Sequence, residues 1–242
     1  MFHPQGPTFW ELARQALSST ERGYDLLAPK FDYTPFRTPD EILDGMAKVL
    51  GPPKSIDDAL DIACGTGAAI RILRPLCRRR VVGIDFSQGM LDQARANLNA
   101  LTGVEHCPVE LIRGEIMQLP FENEFDLAVT VGSLGHVPRG QESEFVRQVA
   151  KALRPGGRFA LVTAKMPPFT SPAYWAARTF NGAMHVRNLL FRPPFIMLYL
   201  TFLLPETKRL LAEHGMEVEV HEEVFPRPYR GLKLVVGTKR GA

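Results

Sequence analysis

Asp61, Gly65, Gly67 and Asp85 are the residues whose types and spacing first suggest chemistry. The first three fall in Asp61-Ile62-Ala63-Cys64-Gly65-Thr66-Gly67, between an apolar run and a helical pattern, and Asp85 closes the next apolar run. A G-x-G turn between strand and helix lets the backbone approach a ligand and aims helix N-terminal N–H groups at it. A dinucleotide site normally adds a third glycine, because pyrophosphate lies against the helix start. Here Ala68, Ala69 and Ile70 follow Gly67. A carboxylate at the end of a buried strand is costly without a positive or hydrogen-bonding partner. Asp61 beside pyrophosphate would repel it, whereas beside an amino group and a sulfonium it is favourable.

That preference points to S-adenosylmethionine rather than NAD. An Asp61 that only ties down the turn through backbone N–H groups is the plainer alternative. Asp85, at the end of its strand, can accept both hydroxyls of a ribose, with Ser87 better placed as the cap of the following helix. Phe86 and Met90 offer flat and polarizable apolar surface to a purine, or simply fill core. Methyl transfer from a sulfonium needs mainly alignment and exclusion of water. A base helps when the acceptor is a hydroxyl, amine or acidic carbon, and histidine titrates nearest neutrality. His136, after the fourth apolar run, is the first candidate for a base or substrate-orienting group, against a role in capping the loop Gly132 to Pro138. His185 is the second, and His3, His106, His214 and His221 are expected at the surface. The three cysteines, Cys64, Cys77 and Cys107, are odd in number and lack C-x-x-C spacing, so no disulfide framework and no metal site are expected.

The elements that must position these groups follow from periodicity. Strands are expected near Ala59–Ala63, Val81–Asp85, Val109–Arg113, Phe125–Val131, Arg158–Thr163, Met216–His221 and Leu232–Thr238. Helical spacing of apolar residues marks Gly67–Leu76, Met90–Leu101 and Glu142–Leu153. Alternation of this kind implies βαβ units and a parallel sheet. Arg154-Pro155-Gly156-Gly157 is expected to stop a helix and turn the chain. Outside the alternation stand Met1 to about Lys54, helical with proline interruptions, and Lys165 to Pro205, rich in aromatic and aliphatic residues. The expected organisation is one domain over 1–242: a helical lid (1–54), a cofactor-binding core (55–164), an apolar cap insertion (165–205) and the C-terminal strands (206–242).

With 242 residues, 45% hydrophobic and 23% charged, the chain can bury one full α/β core. The net charge of +3 is spread apart from Arg78-Arg79-Arg80, read as a solvated turn, so no nucleic-acid partner is expected. Met1 to Ser19 lacks the apolar run of a secretory signal, and a reducing, cytoplasmic setting is expected. Pro193 to Pro205 carries no charge but is shorter than the roughly 20 apolar residues of a membrane span. A buried helix, a hydrophobic lid and an interfacial segment are the three readings of this insertion. The lid is preferred, with Tyr174, Trp175, Phe180 and Phe191 adding apolar surface. A peripheral membrane contact stays open, with weak or no liposome association expected.

Together these segments resemble the class I S-adenosylmethionine-dependent methyltransferases. Ala59 to Gly67 resembles the family's first motif, and Val82-Gly83-Ile84-Asp85-Phe86-Ser87 through Met90-Leu91 its acidic loop. Gly114-Glu115-Ile116 through Phe121 resembles the adenine-binding segment; Phe125-Asp126-Leu127 through Gly135-His136-Val137 and Leu153 to Gly157 complete the order. The chain is similar to the ubiquinone- and menaquinone-biosynthesis methyltransferases. The resemblance implies a Rossmann-like, doubly wound seven-stranded sheet whose last strand is antiparallel, with a helical insertion between strands 5 and 6. It implies cofactor contacts at Tyr24, Asp61, Ala63, Gly65, Gly67, Asp85, Phe86, Met90, Glu115, Ile116 and Val131. Glu115 stands where Asp is usual, and Cys64 where cysteine is frequent. Tyr24-Asp25 and Phe31-Asp32-Tyr33 look like the family's lid pattern. The expected function is methyl transfer to a small hydrophobic acceptor. A non-catalytic cofactor-binding module and an NAD(P)-dependent oxidoreductase are the alternatives, and no motif encodes the oligomeric state.

Overall fold

The computed structural model describes residues 3–101 and 107–241. In chain order the elements are helices α1 (Phe9–Leu17) and α2 (Thr20–Leu27), a 3-10 turn (Ala28–Tyr33) and α3 (Asp40–Leu50), then β1 (Ile56–Ile62), α4 (Ala68–Leu76), β2 (Cys77–Asp85), α5 (Gln88–Ala100) and β3 (Val109–Arg113). They continue with β4 (Phe125–Thr130), α6 (Glu142–Ala152), β5 (Leu153–Ala164), α7 (Pro172–Leu190), α8 (Leu204–Glu213), β6 (Met216–His221) and β7 (Leu232–Lys239).

The strands form one seven-stranded sheet in the order β3-β2-β1-β4-β5-β7-β6. Strands β1 to β5 pair in parallel, and β7 lies antiparallel between β5 and β6. The chain winds outward from β1 to β3, then crosses back to lay β4 on the other side of β1. In such sheets the crevice beyond the carboxyl ends, where the winding reverses, is where ligands bind.

Both faces of the sheet are covered, which is why its strands read as near-continuous apolar runs. Successive strand residues point to opposite faces, so Leu60, Ile62, Val82, Ile84 and Phe159 pack with Phe145, Val149 and Leu211 of α6 and α8. On the other face Ala59, Val81, Leu127 and Val129 pack with Met46, Ile70 and Leu73 of α3 and α4. Local signals set the helix starts. Thr8 and Glu11 form a capping box at α1, Ser87 Oγ accepts the Met90 N–H at α5, and Ser171 caps α7.

One expectation is corrected, and one of the three readings of the insertion falls away. Arg78-Arg79-Arg80 is the start of β2, not a solvated turn, because acids on neighbouring segments receive it: Arg78 donates to Asp57 at 2.6 Å, and Arg80 to Asp58 at 3.3 Å and Glu124 at 3.0 Å. The stretch from Pro193 to Leu203 is not a helix; Leu200 and Phe202 take left-handed backbone conformations, and α8 starts only at Leu204.

The N-terminal ends of β1 and β4 are held by an ionic cluster. Asp58 is fully buried and accepts from Arg80 and, at 2.8 Å, from Arg154, whose other nitrogen reaches Asp126 at 2.8 Å. Asp126 also accepts the backbone N–H groups of Asp57 and Asp58 at 3.2 and 2.9 Å. Removing one partner of such a cluster leaves uncompensated charge. Asp58→Ala is therefore expected to lower the unfolding free energy by about 3 kcal/mol, seen as a fall in the urea midpoint.

Candidate functional site

The carboxyl ends of β1, β2 and β4 open into a cleft enclosing about 680 Å³ of empty space, part of it open to solvent. Its floor is the turn from Ala63 to Gly67. Three residues of this turn have positive φ, namely Ala63 (56°), Gly65 (52°) and Gly67 (84°). The turn keeps this shape through hydrogen bonds: Cys64 N–H to Ile84 O at 3.0 Å, Gly67 N–H to Cys64 O at 2.9 Å, and Gly65 N–H to Asp85 Oδ2 at 2.9 Å. A Cβ on Gly65 would meet no atom within 4 Å, so that position stands open to the cleft.

Asp85 ends β2 with both oxygens engaged, Oδ2 by Gly65 N–H and Oδ1 by Ser87 N–H at 2.9 Å. Burial pushes its carboxyl up to about 6, against the pull of those two N–H groups. Asp61, on the same cleft wall and 2% exposed, has an Oδ2 with no hydrogen-bond partner among the described residues. Burial and the neighbouring Asp85 hold its carboxyl well above the usual carboxylate range. A buried oxygen left without a donor costs roughly 1–3 kcal/mol, which marks the cleft as built for something positive or proton-donating.

The N-terminal segment is fastened to the start of α5 and to the same turn. Asp25 accepts Ser87 Oγ–H at 2.6 Å and Gly89 N–H at 2.9 Å. Asp32 accepts Thr66 Oγ–H at 2.6 Å and Asn97 Nδ2–H at 2.8 Å. These contacts place Tyr24 in an aromatic surround of Phe31, Phe86, Phe195 and His136.

His136 joins the lid, the sheet and the insertion. Its Nδ1 lies 2.5 Å from Ile196 O, and since a carbonyl only accepts, Nδ1 carries the proton. Neutral His136 therefore presents an unprotonated Nε2, which accepts the Tyr24 hydroxyl at 2.8 Å. Burial lowers the His136 pKa and raises that of Tyr24, so both charge forms of the pair are disfavoured near neutrality. Between α7 and α8 the irregular segment is held by two asparagines two turns apart. Asn181 pairs with both backbone groups of Tyr199, and Asn188 with both of Phe195. Gly135 is required opposite this segment: its carbonyl accepts Leu198 N–H at 2.8 Å, and a Cβ there would lie 2.5 Å from Leu198 O.

A second cavity, of about 1030 Å³ including open solvent, adjoins the first. Its walls are largely apolar, from Leu134, Val162, Ala177, Met197, Leu198 and Leu203 among others, with Lys165 and Tyr199 as polar groups. Gly132 and His136 line both cavities.

Of the residues singled out in the sequence, Tyr24, Asp61, Ala63, Gly65, Asp85, Phe86, Met90, Val131 and His136 come together in the cleft. Three do not line it. Gly67 caps α4, Glu115 is exposed, and the Ile116 side chain packs in the core with Ile84 and Phe125. His185 is exposed on α7, and His3, His214 and His221 stand away from the cleft; His106 lies outside the described residues. Trp175 and Phe191 point outward at 60% and 44% exposure, whereas Phe180 packs edge-on against Tyr199. Arg37, Thr38 and Ser133 also line the cleft. Sequence pattern did not single them out, since Arg37 and Thr38 sit in a proline-interrupted stretch whose path no periodicity sets.

Part of the chain is similar to known methyltransferases. Residues 59–157 match the family described as "Methyltransferase domain". Demethylmenaquinone methyltransferase of Bacillus cereus is 34% identical over 113 residues, 45% of this chain and 45% of that protein. The matched stretch thus spans less than half the length of such curated relatives. Among solved structures, the DhpI–SAH complex aligns over 97% of this chain and 100% of its own, with a TM-score of 0.65 and 21% identity. A SAM-dependent methyltransferase from Methanosarcina mazei aligns over 81% of this chain and 98% of its own, with a TM-score of 0.62 and 18% identity. At such identities the structures speak for the fold.

The raised Asp85 carboxyl has a consequence for stability. Its folded value of about 6 exceeds the ordinary 3.8, so between these pH values the folded chain binds more protons than the unfolded one. Stability from this group is therefore complete below about pH 4 and lost as pH rises through 6, by roughly 3 kcal/mol. The ligand-free wild type is expected to lose stability relative to Asp85→Asn between pH 4.5 and 7, measured as diverging urea midpoints.

Proposed function

We propose, from the match of residues 59–157 to the family described as "Methyltransferase domain", that the protein binds S-adenosylmethionine in the cleft and methylates a small hydrophobic acceptor held in the adjoining cavity. The observation that carries the reading is the unpartnered, buried oxygen of Asp61 on the cleft wall beside the open Gly65 position. That donor set suits a ligand with a cationic amino-acid end and opposes a pyrophosphate, whose charge would meet Asp61 and Asp85 together.

When bound there, S-adenosylmethionine supplies an electrophilic methyl group on a sulfonium and becomes S-adenosylhomocysteine. The chain's own residues do the rest. A cationic amino group beside Asp61 would draw its raised carboxyl into the ionised form and so gain a counter-charge, and Arg37, a cation on the same cleft wall, meets the carboxylate. Asp85 keeps acceptor capacity for ribose hydroxyls after taking two backbone N–H groups. Phe86 and Met90 pack against the purine, and Glu115 with the Ile116 N–H takes its polar edge. Gly67 starts the helix whose N-terminal N–H groups face the cleft. His136, neutral and fixed by Ile196 and Tyr24, orients the acceptor at the boundary of the two cavities. A role as base would require the Tyr24 hydroxyl to leave Nε2. The apolar walls of the second cavity favour a hydrophobic acceptor, and a quinone-type ring is consistent with the demethylmenaquinone methyltransferase relatives.

Calorimetry with S-adenosylmethionine tests the cofactor reading. Micromolar-range binding is expected, weakened about a hundredfold in Asp85→Ala through the loss of charge-assisted hydrogen bonds. Unchanged affinity would remove the ribose assignment. Ionised Asp85 is the better acceptor, so affinity is also expected to fall as pH drops below about 6, by up to tenfold per pH unit. Stabilisation by NAD(P) but not by S-adenosylmethionine in thermal melts would instead favour an oxidoreductase. Transfer of labelled methyl groups to an extracted lipophilic metabolite is the expected activity, and binding without transfer to any metabolite pool would favour a non-catalytic module.

A further inference from the structure

Helix α7 has two unlike faces. One carries Ala173 and Ala177 into the second cavity and Asn181 and Asn188 against the irregular segment. The other follows helical spacing through Trp175, Thr179, Gly182, Val186, Leu189 and Leu190, all of them exposed. Its large side chains stand far out, with Trp175 at 60%, Val186 at 57%, Leu189 at 79% and Leu190 at 69% exposure. No charged residue interrupts this stripe, which runs along a helix about 28 Å long. Solvent-facing positions of an ordinary surface helix are polar, so this face is unusual.

The end of α1 is tied to α7. Arg187 donates to Ala16 O at 2.8 Å and to Ser18 O at 2.6 Å, drawing the end of α1 against the end of α7. There Trp10, Arg14 and Leu17, spaced by four and three residues, form a second exposed face, with Trp10 at 78% and Leu17 at 55% exposure. Charge singles out what covers this surface. From Lys165 to Pro205 there is no Asp or Glu, while Arg178 and Arg192 are exposed cations; Lys165 lines the second cavity and Arg187 is held by backbone carbonyls. A second copy seated by two-fold symmetry would set these cations against themselves with no acid in the segment to pair them. An anionic bilayer supplies the missing counter-charge and an apolar layer for Trp, Leu and Val side chains.

We propose that the outer face of α7, with the adjoining face of α1, docks the protein on an anionic lipid surface. This departs from the weak or absent liposome association expected from sequence, which assigned Trp175 and Phe191 to a lid over the acceptor. Because the inner face of α7 walls the second cavity, docking sets that cavity close to the lipid.

The two tryptophans of the chain, Trp10 and Trp175, both lie in the surface, so intrinsic fluorescence reports docking directly. Vesicles of phosphatidylcholine with roughly a third phosphatidylglycerol are expected to shift the emission to the blue and to pellet the protein. Phosphatidylcholine alone, or raised salt, is expected to weaken pelleting several-fold. Leu189→Glu with Leu190→Glu is expected to reduce it at least tenfold while leaving the thermal melt unchanged, since both side chains are exposed. Absence of the shift and of pelleting on anionic vesicles would overturn the proposal, as would equal binding by the double variant. A lipid-free dimer in sedimentation velocity that the double variant dissolves would show that a second copy covers this face instead.

Discussion

The Asp85 carboxylate receives one N–H from the glycine turn and another from the segment that opens α5. It thereby sets the distance between two strand ends that would otherwise be joined only by the ladder between β1 and β2. Ser87, placed by that bond, caps α5 and in turn donates to Asp25 of the lid. Thr66, inside the turn, reaches the lid's Asp32. One buried acid thus governs the turn, the helix start beside it and, at one remove, the cover over the cleft. Its raised pKa records the desolvation that this position costs.

The molecule separates strength from chemistry along the sheet. The ionic cluster of Asp58, Arg80, Arg154 and Asp126 secures the strand ends remote from the cleft, where the acids have close, multiple partners. At the opposite ends Asp61 has an oxygen without a hydrogen-bond partner among the described residues and Ala63 a left-handed backbone, both unfavourable in isolation. Such local costs are sustained when the surrounding core over-determines the geometry, and here both faces of β1 are buried.

Much of this was legible in the residues. β3 and β6 begin and end where their apolar alternation does, and Asp61, Gly65 and Asp85 meet in the cleft because strand ends in a parallel sheet converge. β1 and β2 start earlier than expected, since polar ladders such as Arg78 with Asp57 carry no hydrophobic signal. The bond from Tyr24 to His136 spans more than a hundred positions and no spacing rule encodes it. The direction of Trp175 was likewise hidden: an apolar residue in an apolar segment reads the same whether it faces a cavity or the outside. Only the phase set by Asn181 and Asn188 shows which side of α7 is turned inward.

Gly132 and His136 are the residues that the two cavities have in common. Everything else that shapes the second cavity from the insertion side lies between Lys165 and Leu203, on a helix and an irregular segment joined by two asparagine side chains. Folds of this kind host many activities by changing what is grafted onto a constant frame. Here the graft is nearly detached from the frame in the sense that matters for inheritance. New side chains along residues 165–203 can reshape the second cavity without altering Asp61, Gly65 or Asp85, so long as Gly135 lets the segment pass and His136 keeps its carbonyl partner.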